Sequence, residues 1–464
     1  MGSTKIGYQV KVSSLPFYIS YNSQQIGKLR LVLKKKQVGK LLYNVLIQLY
    51  AIAFRLFALF NRKAALGVQG RKRAFVTLQH NAGSPIQPVI WMHCASLGEF
   101  EQGRPVLEML KKQYPATINV LTFFSASGYE VVKNYQGADQ VYYLPFDNAA
   151  NAKKMVKAIN PTLVLWIKYE FWYHYLHTLR SREIPVMLVS GIFRPGHPFF
   201  QWYGNLWRSM LQCFTVFFVQ NETSRKLLAT LDLQDKVMLT GDTRFDRVIA
   251  IAENYEDLPL VTAFCGNSKV IVAGSTWEDD EAELVHYVKA NPQVKFIIAP
   301  HETDDENLKD VKKAFPNSVF YSELSTNYRP PVDEKGEQVA APNVLIIDNV
   351  GMLSRLYRYA QIAYVGGGFG ADGVHNVLEA AVYGKPVIYG PEFEKFTEAI
   401  GLVDCGGGIT IQNALELEST LNELWETPSL LKEKGTAARQ FVYSRAGASG
   451  KILQYIQENR LLIN

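Results

Sequence analysis

Hydrophobic and polar positions divide the chain into three kinds of stretch. Leu41 to Phe60 is almost wholly apolar; its exceptions Asn44, Gln48 and Arg55 continue at Arg62 with spacings of 4, 7 and 7. That period puts them on one narrow polar stripe of a helix. From about Thr77 to Arg244 short apolar runs follow one another: Val89–His93, Ile118–Phe124, Gln140–Leu144, Thr162–Ile167, Pro185–Ser190, Thr215–Val219 and Val237–Thr240. Between them lie amphipathic segments such as Arg104–Lys112 and Ala150–Ile159. Alternation of this kind predicts a parallel sheet covered by helices on both faces. After a looser stretch, Asn254 to Asn267, the rhythm restarts with Val270–Gly274, Lys295–Ala299, Ser318–Tyr321, Val344–Ile347, Ile362–Val365 and Pro386–Tyr389. Ser325–Pro342, rich in proline and charge, reads as a surface loop.

The expected fold class is therefore α/β, with two doubly wound domains and a cleft between them. The divisions are a poorly patterned, mobile segment 1–40, a helix at 41–62, a first domain at 75–246, a linker at 247–267 and a second domain at 268–464 whose last helices pack back on the first. Ligands of such sheets bind outside the carboxyl ends of the strands.

Charge changes the picture of the N-terminus. Residues 1–98 carry 14 Lys and Arg and no acid, whereas the remaining 366 carry 35 basic and 43 acidic residues. A basic arm on a mildly acidic body points to an anionic surface as partner, not to nucleic acid. Twenty apolar residues could span a bilayer, but basic clusters flank both ends and the polar stripe is costly in hydrocarbon. A helix lying in the headgroup layer of an anionic leaflet fits better, with a buried helix of the first domain as the alternative. Four scattered cysteines show no metal-ligand spacing and suggest a reducing compartment.

Candidate chemistry sits at the strand ends. Val365 to Glu379 holds five glycines between 366 and 373, then His375-Asn376-x-x-Glu379. Such a turn lets backbone approach a ligand, and the start of a following helix seats phosphate. Asn376 and Glu379 lie three apart, on one helical face, where a carboxylate could accept ribose hydroxyls. It lacks the Lys-Ser/Thr ending of a P-loop, and no G-x-S-x-G elbow occurs. Ser96-x-x-Glu99 follows the first strand; it reads as a capping box, a role compatible with catalysis. Glu170 stands among aromatics after the fourth, and Arg194 after the fifth is placed to meet an anion. Further on come Gly241-Asp242-Thr243-Arg244, Ser275-Thr276 and Pro300-His301-Glu302.

Taken in order, these motifs resemble those of the 3-deoxy-D-manno-octulosonic acid (Kdo) transferases of lipopolysaccharide assembly, over roughly residues 41–464. The pieces that carry the resemblance are Ser96–Phe100, Glu170–Trp172, Thr240–Asp246, Ala273–Thr276 and the glycine-rich stretch ending in Glu379. The resemblance implies a GT-B fold of two Rossmann-like domains with an N-terminal membrane-associated helix. It implies transfer of Kdo from CMP-Kdo to a lipid A precursor at the cytoplasmic face of the inner membrane, with no metal or other cofactor. It also implies Glu99 as general base, supported on the acceptor side by Ser96, Glu170 and Arg194. Arg244, Ser275, Thr276, His301, Gly367, Gly368, Asn376 and Glu379 would then meet the CMP-sugar. The chain departs from the family at His301, where an arginine is usual, and Arg194 and Arg244 are the candidates to replace it; Ala380, after Glu379, departs as well. Competing readings are a UDP-sugar transferase of the same architecture, a nucleotide-sugar epimerase and a non-catalytic membrane nucleotide sensor.

Overall fold

The computed structural model describes residues 23–80, 87–324 and 341–462. Residues 1–22 of the expected mobile segment and 325–340 of the expected loop lie outside the described residues.

The central apolar runs form strands because they are buried on both faces, the signature of a parallel sheet with two helical layers, whereas the edge run Val237–Leu239 leaves Met238 and Leu239 exposed. The first sheet contains β1 (Val89–Cys94), β2 (Ile118–Phe123), β3 (Gln140–Tyr143), β4 (Leu163–Ile167), β5 (Val186–Gly191), β6 (Val216–Val219) and β7 (Val237–Leu239). The second contains β8 (Val270–Thr276), β9 (Lys295–Pro300), β10 (Ser318–Phe320), β11 (Val344–Ile346), β12 (Ile362–Val365), β13 (Val387–Tyr389) and β14 (Gly408–Thr410). Their orders are β3-β2-β1-β4-β5-β6-β7 and β10-β11-β9-β8-β12-β13-β14, with parallel pairing throughout the described ladders. β14 has no counterpart among the apolar runs, because it is three residues long and begins with glycine.

The chain forms two compact units, one running to Thr240 and resuming at Ile452, the other covering Gly241–Lys451. Each unit has a core on both faces of its sheet. In the first, Trp91, Val164 and Leu188 lie on one face and Met92, Leu165 and Val189 on the other. Ile452, Ile456 and Leu462 of the chain's last segment join the second of these cores. Residues 247–267, expected to be a linker, belong to the second unit and are largely helical: one helix covers Thr243–Glu253 and another Pro259–Cys265. Their apolar residues Val248, Val261 and Cys265 are buried in its core, which is what keeps this polar-looking stretch ordered.

Before the first sheet come α1 (Ser23–Phe57) and α2 (Arg62–His80). The polar stripe expected on a single helix is broken, because Arg62 belongs to α2, whose first turn is capped by Asn61 through the Ala64 N–H at 3.0 Å. Of the stripe residues on α1, Gln48 and Arg55 are exposed, but Asn44 is not. Asn44 turns inward and bonds His174 Nε2 at 2.7 Å, while Tyr43 donates to Asp147 Oδ2 at 2.6 Å. Tyr50 stacks on Phe124 in the same interface, and Ala51 is buried there. The outward face is largely apolar, with Leu42, Val45, Leu49, Ile52 and Leu56 exposed. An amide that spends its hydrogen bond on a neighbouring helix no longer belongs to the wet side.

Candidate active site

In the first unit, β1 delivers the chain to Ser96, the N-cap of α3 (Leu97–Gln113). Glu99, one turn into α3, folds back so that Oε2 accepts from the Ala95 N–H at 2.5 Å and the Ser96 N–H at 3.2 Å. Those bonds favour the ionised form, yet burial, followed by the charge on Glu170, raises its pKa above the ordinary glutamate value. The capping role and a poised carboxylate therefore coexist in one side chain.

Glu170 comes from the end of β4, where Lys168 takes a left-handed φ of 55° and turns the chain off the strand. The Trp166 indole N–H donates to the Glu170 carbonyl, and Trp172 Nε1 donates to Glu170 Oε2 at 3.1 Å. His93, the fully buried penultimate residue of β1, places Nε2 2.7 Å from the same carboxylate oxygen. Its Nδ1 lies 2.9 Å from Thr122 Oγ1, which accepts from the Trp91 indole at 2.8 Å. Nδ1 also lies 3.2 Å from the Thr122 carbonyl, and toward an ionised Glu170 the imidazole donates through Nε2–H. This couple fixes the Glu170 carboxylate beside Glu99. Arg194 is not drawn into the cluster's hydrogen bonds; it stands exposed after β5 and, after burial, is the second cause that lowers the pKa of His197.

A second cation was missed in the sequence. Arg71 of α2 is buried, donates to the carbonyls of Gly67, Phe124 and Leu144, and lies over the rings of Phe54, Phe124 and Phe146. Burial lowers its pKa to about 10. The visible signal was the basic run Arg71-Lys72-Arg73, which does not tell which member turns inward; the partners of Arg71, 53 and 73 residues away, were not visible.

In the second unit, the glycine-rich turn leaves β12 and crosses over β8. Gly367 has φ 88°, and a Cβ there would sit 2.6 Å from the Gly373 carbonyl; one on Gly368 would meet Gly390 N at 2.5 Å. The missing side chains thus let the turn close on its own protein. A buried carboxylate pins it: Asp280 accepts from the Gly367 N–H at 2.8 Å, the Trp277 N–H at 3.0 Å and the Tyr364 hydroxyl at 2.8 Å.

Three sequence expectations change here. The helix after the turn is one turn long, Leu378–Ala381, so it offers little dipole; Gly384 at φ 69° and Pro386 stop it. Asn376 precedes that helix instead of lying on it. Its Oδ1 accepts from the Leu378 N–H at 3.3 Å and its amide donates to Glu379 Oε1 at 2.9 Å, so the pair is still joined. Arg244, a candidate phosphate ligand, is held by Asp242 and Glu398 at 2.7 and 2.6 Å, two carboxylates that neutralise it.

The remaining expected residues are brought near the turn. Ser275 has φ 54° at the point where β8 and β9 shift register, and Thr276 is buried with its hydroxyl on Glu281 at 2.8 Å. His301 is a stacked ring, 4.5 Å from Trp277 and 4.4 Å from His375 by centroids. His375 Nε2 accepts the Trp277 indole N–H at 3.0 Å, and burial, then His301, lowers its pKa to about 4. The aromatic sandwich and Asp280 were missed; four consecutive acids from Glu278 hide which one turns inward.

Residues 69–247 match the model of the family described as 3-deoxy-D-manno-octulosonic-acid transferase (kdotransferase). A 3-deoxy-D-manno-octulosonic acid transferase of Haemophilus influenzae is 26% identical over 81% of this chain and 88% of its own length. One of Aquifex aeolicus is 26% identical over 74% of this chain and 88% of its own. The chain is a glycosyltransferase that resembles the Kdo transferases. A bifunctional glycosyltransferase/methyltransferase of Fusobacterium nucleatum is 28% identical over 67% of the chain, which spans about half (48%) of that relative's length. Among solved structures, the UDP-GlcNAc 2-epimerase of Neisseria meningitidis bound to UDP-GlcNAc superimposes with a TM-score of 0.56, at 17% identity, over 80% of this chain and all (100%) of its own. That likeness concerns the fold: two Rossmann-like units, as the paired parallel sheets also show.

Proposed function

We propose that the chain moves Kdo from CMP-Kdo to a lipid A precursor, with inversion and with Glu99 as general base, in lipopolysaccharide assembly. The observation that carries this reading is the state of Glu99: a carboxylate at a strand-to-helix junction, anchored by two amides, with its proton affinity raised by burial and by Glu170. A base with raised affinity takes a hydroxyl proton more readily, the tuning that general-base chemistry needs. The acceptor oxygen forms a bond to the ketosidic carbon while the carbon–oxygen bond to phosphate breaks; Glu99 receives the proton and CMP leaves with the electron pair. Glu170, held by His93 and Trp172, is the second carboxylate, stabilising positive character at the sugar carbon. Asn376 and Glu379 hold the nucleotide beside the Trp277–His301–His375 sandwich.

On the same reading α1 lies in the headgroup layer of the cytoplasmic leaflet of the inner membrane. Val38–Phe57 is long and apolar enough to cross a bilayer. Support for lying along the surface comes from its inner face, tied to Asp147 and His174, and from an outer face that is apolar. An epimerase has no use for such a face. The deciding experiment is product mass after incubation with CMP-Kdo and a lipid A precursor: a gain of one or more Kdo residues is expected, and no gain, or turnover of UDP-GlcNAc instead, overturns the reading.

A further inference from the structure

Between Ile184 and Asn221 the first unit contains no Asp or Glu, and in this interval a loop carries the most exposed tryptophan of the protein. Trp202 is 88% exposed and Tyr203 49%. All seven tryptophans lie in the described residues, and Trp202 alone among them is exposed. A single exposed apolar side chain is ordinary; an adjacent Trp–Tyr pair held rigidly outward is not. The rigidity is explicit. Arg208 donates to the carbonyls of Phe199 and Gln201, each at 3.0 Å, and to Asn205 Oδ1 at 2.7 Å. Gln201 Nε2 donates to the Pro195 carbonyl at 2.9 Å, and the Gly204 N–H closes the turn on the Gln201 carbonyl at 3.0 Å. Gly204 is required there, since a Cβ would fall 2.0 Å from the Pro198 carbonyl. The two rings meet edge to face, 5.5 Å apart, and Tyr203 is braced by Trp207 at 6.3 Å.

The position of the loop gives its partner. The helix that follows it, Asn205–Leu211, packs on α1, with a Cβ at Gly39 reaching 3.8 Å from Leu206. The aromatic tip is thus joined, through this short helix, to the part of α1 where Val38, Leu41 and Leu42 are exposed. Trp and Tyr are the side chains that favour the boundary between headgroups and acyl chains. Lys40 on α1 and Arg194 on the preceding loop are exposed, and with no acid in the interval the region suits an anionic surface.

We infer that Trp202 and Tyr203 form a second membrane-insertion point, which with α1 holds the first unit on an anionic lipid surface at two places. One point of contact lets a unit swivel; two restrict its orientation, so that the end of β1 and Glu99 keep a fixed height above the lipid. The inference rests on the reading of α1 as a membrane-surface helix, and the test separates the two.

Full-length protein is mixed with phosphatidylethanolamine/phosphatidylglycerol vesicles whose acyl chains carry bromine, a contact quencher of indole emission. Wild type is expected to sediment with the vesicles and to lose emission, and Trp202→Phe is expected to sediment while most of that quenching disappears. W202A/Y203A, which gives up only the edge contact of Tyr203 with Trp207, is expected to bind about tenfold more weakly and to stay folded with a thermal midpoint close to wild type. Wild type that sediments without quenching, or a double variant that binds as wild type, overturns the insertion point and leaves α1 as the only anchor. Wild type that does not sediment overturns the reading of α1 as well. A shift in oligomeric state of W202A/Y203A at unchanged vesicle binding assigns the pair to a protein partner and refutes the inference.

Discussion

Residues that act together in this protein are joined by hydrogen bonds with definite direction, and this makes single substitutions informative. Glu99→Gln keeps the size and one acceptor of the side chain, and Gln serves a capping box as well as Glu does. Loss of turnover by about 10²-fold or more, with donor affinity retained, is therefore expected if the carboxylate takes a proton. Because Glu99 titrates above the ordinary range, the acid limb of kcat/KM is expected at higher pH than for a free glutamate, and to vanish from the residual activity of the variant. Glu281 offers a stability test. Burial raises its pKa to about 7, so between the unfolded value and pH 7 the folded state binds more protons than the unfolded one. Stability then falls as pH rises through that window, by on the order of 2–3 kcal/mol from this group. Glu281→Gln, which still bonds Thr276, is expected to flatten that slope in denaturant titrations at pH 5 and pH 8. The Ser96–Glu99 capping box and the Asn376–Glu379 pairing were legible because their logic is local, a spacing of three residues. His93, Asp280 and Arg71 were not, since their partners are tens of residues away and only the fold brings them together.

At the scale of elements, apolar runs revealed thirteen of the fourteen strands, because a strand buried on both faces is mostly apolar. The same rule fails for helices that owe their existence to packing, such as Pro259–Cys265, and it overestimates the helix after the glycines. α1 shows a different gap. Of its polar stripe Gln48 and Arg55 are exposed, whereas Asn44, with the neighbouring Tyr43, is a fastener to His174 and Asp147. Asp147 also caps the helix Tyr173–Ser181 through the His174 and Tyr175 N–H groups, so one buried carboxylate ties α1 to the sheet layer. Tyr43→Phe deletes only the hydroxyl, leaving Asp147 short of one donor; a loss of about 1–3 kcal/mol is expected. Hydrogen exchange is expected to speed up selectively in residues 40–57, and uniform acceleration across the first unit would contradict this fastening role.

For the molecule as a whole, two units of similar build were legible from the repeated rhythm of strands, but their seams were not. The looser stretch suggested a division near 247–267, while the compact units divide after Thr240 and again after Lys451. The second seam runs inside the helix Ala448–Glu458, where no break in polarity marks it. Ile456 is fully buried among Phe218, Met187 and their neighbours, so Ile456→Ala is expected to cost the first unit about 2–5 kcal/mol. In a two-step unfolding trace the transition of the second unit is expected to stay in place; a parallel shift of both would contradict the assignment of this segment to the first core. Membership of that core also has a consequence for synthesis. Ribosomes release a chain from its N-terminus, and domains generally fold as they emerge. Here the first unit leaves the ribosome some two hundred residues before Ile452, Ile456 and Leu462, which complete its core. The second unit, encoded later, can finish folding earlier.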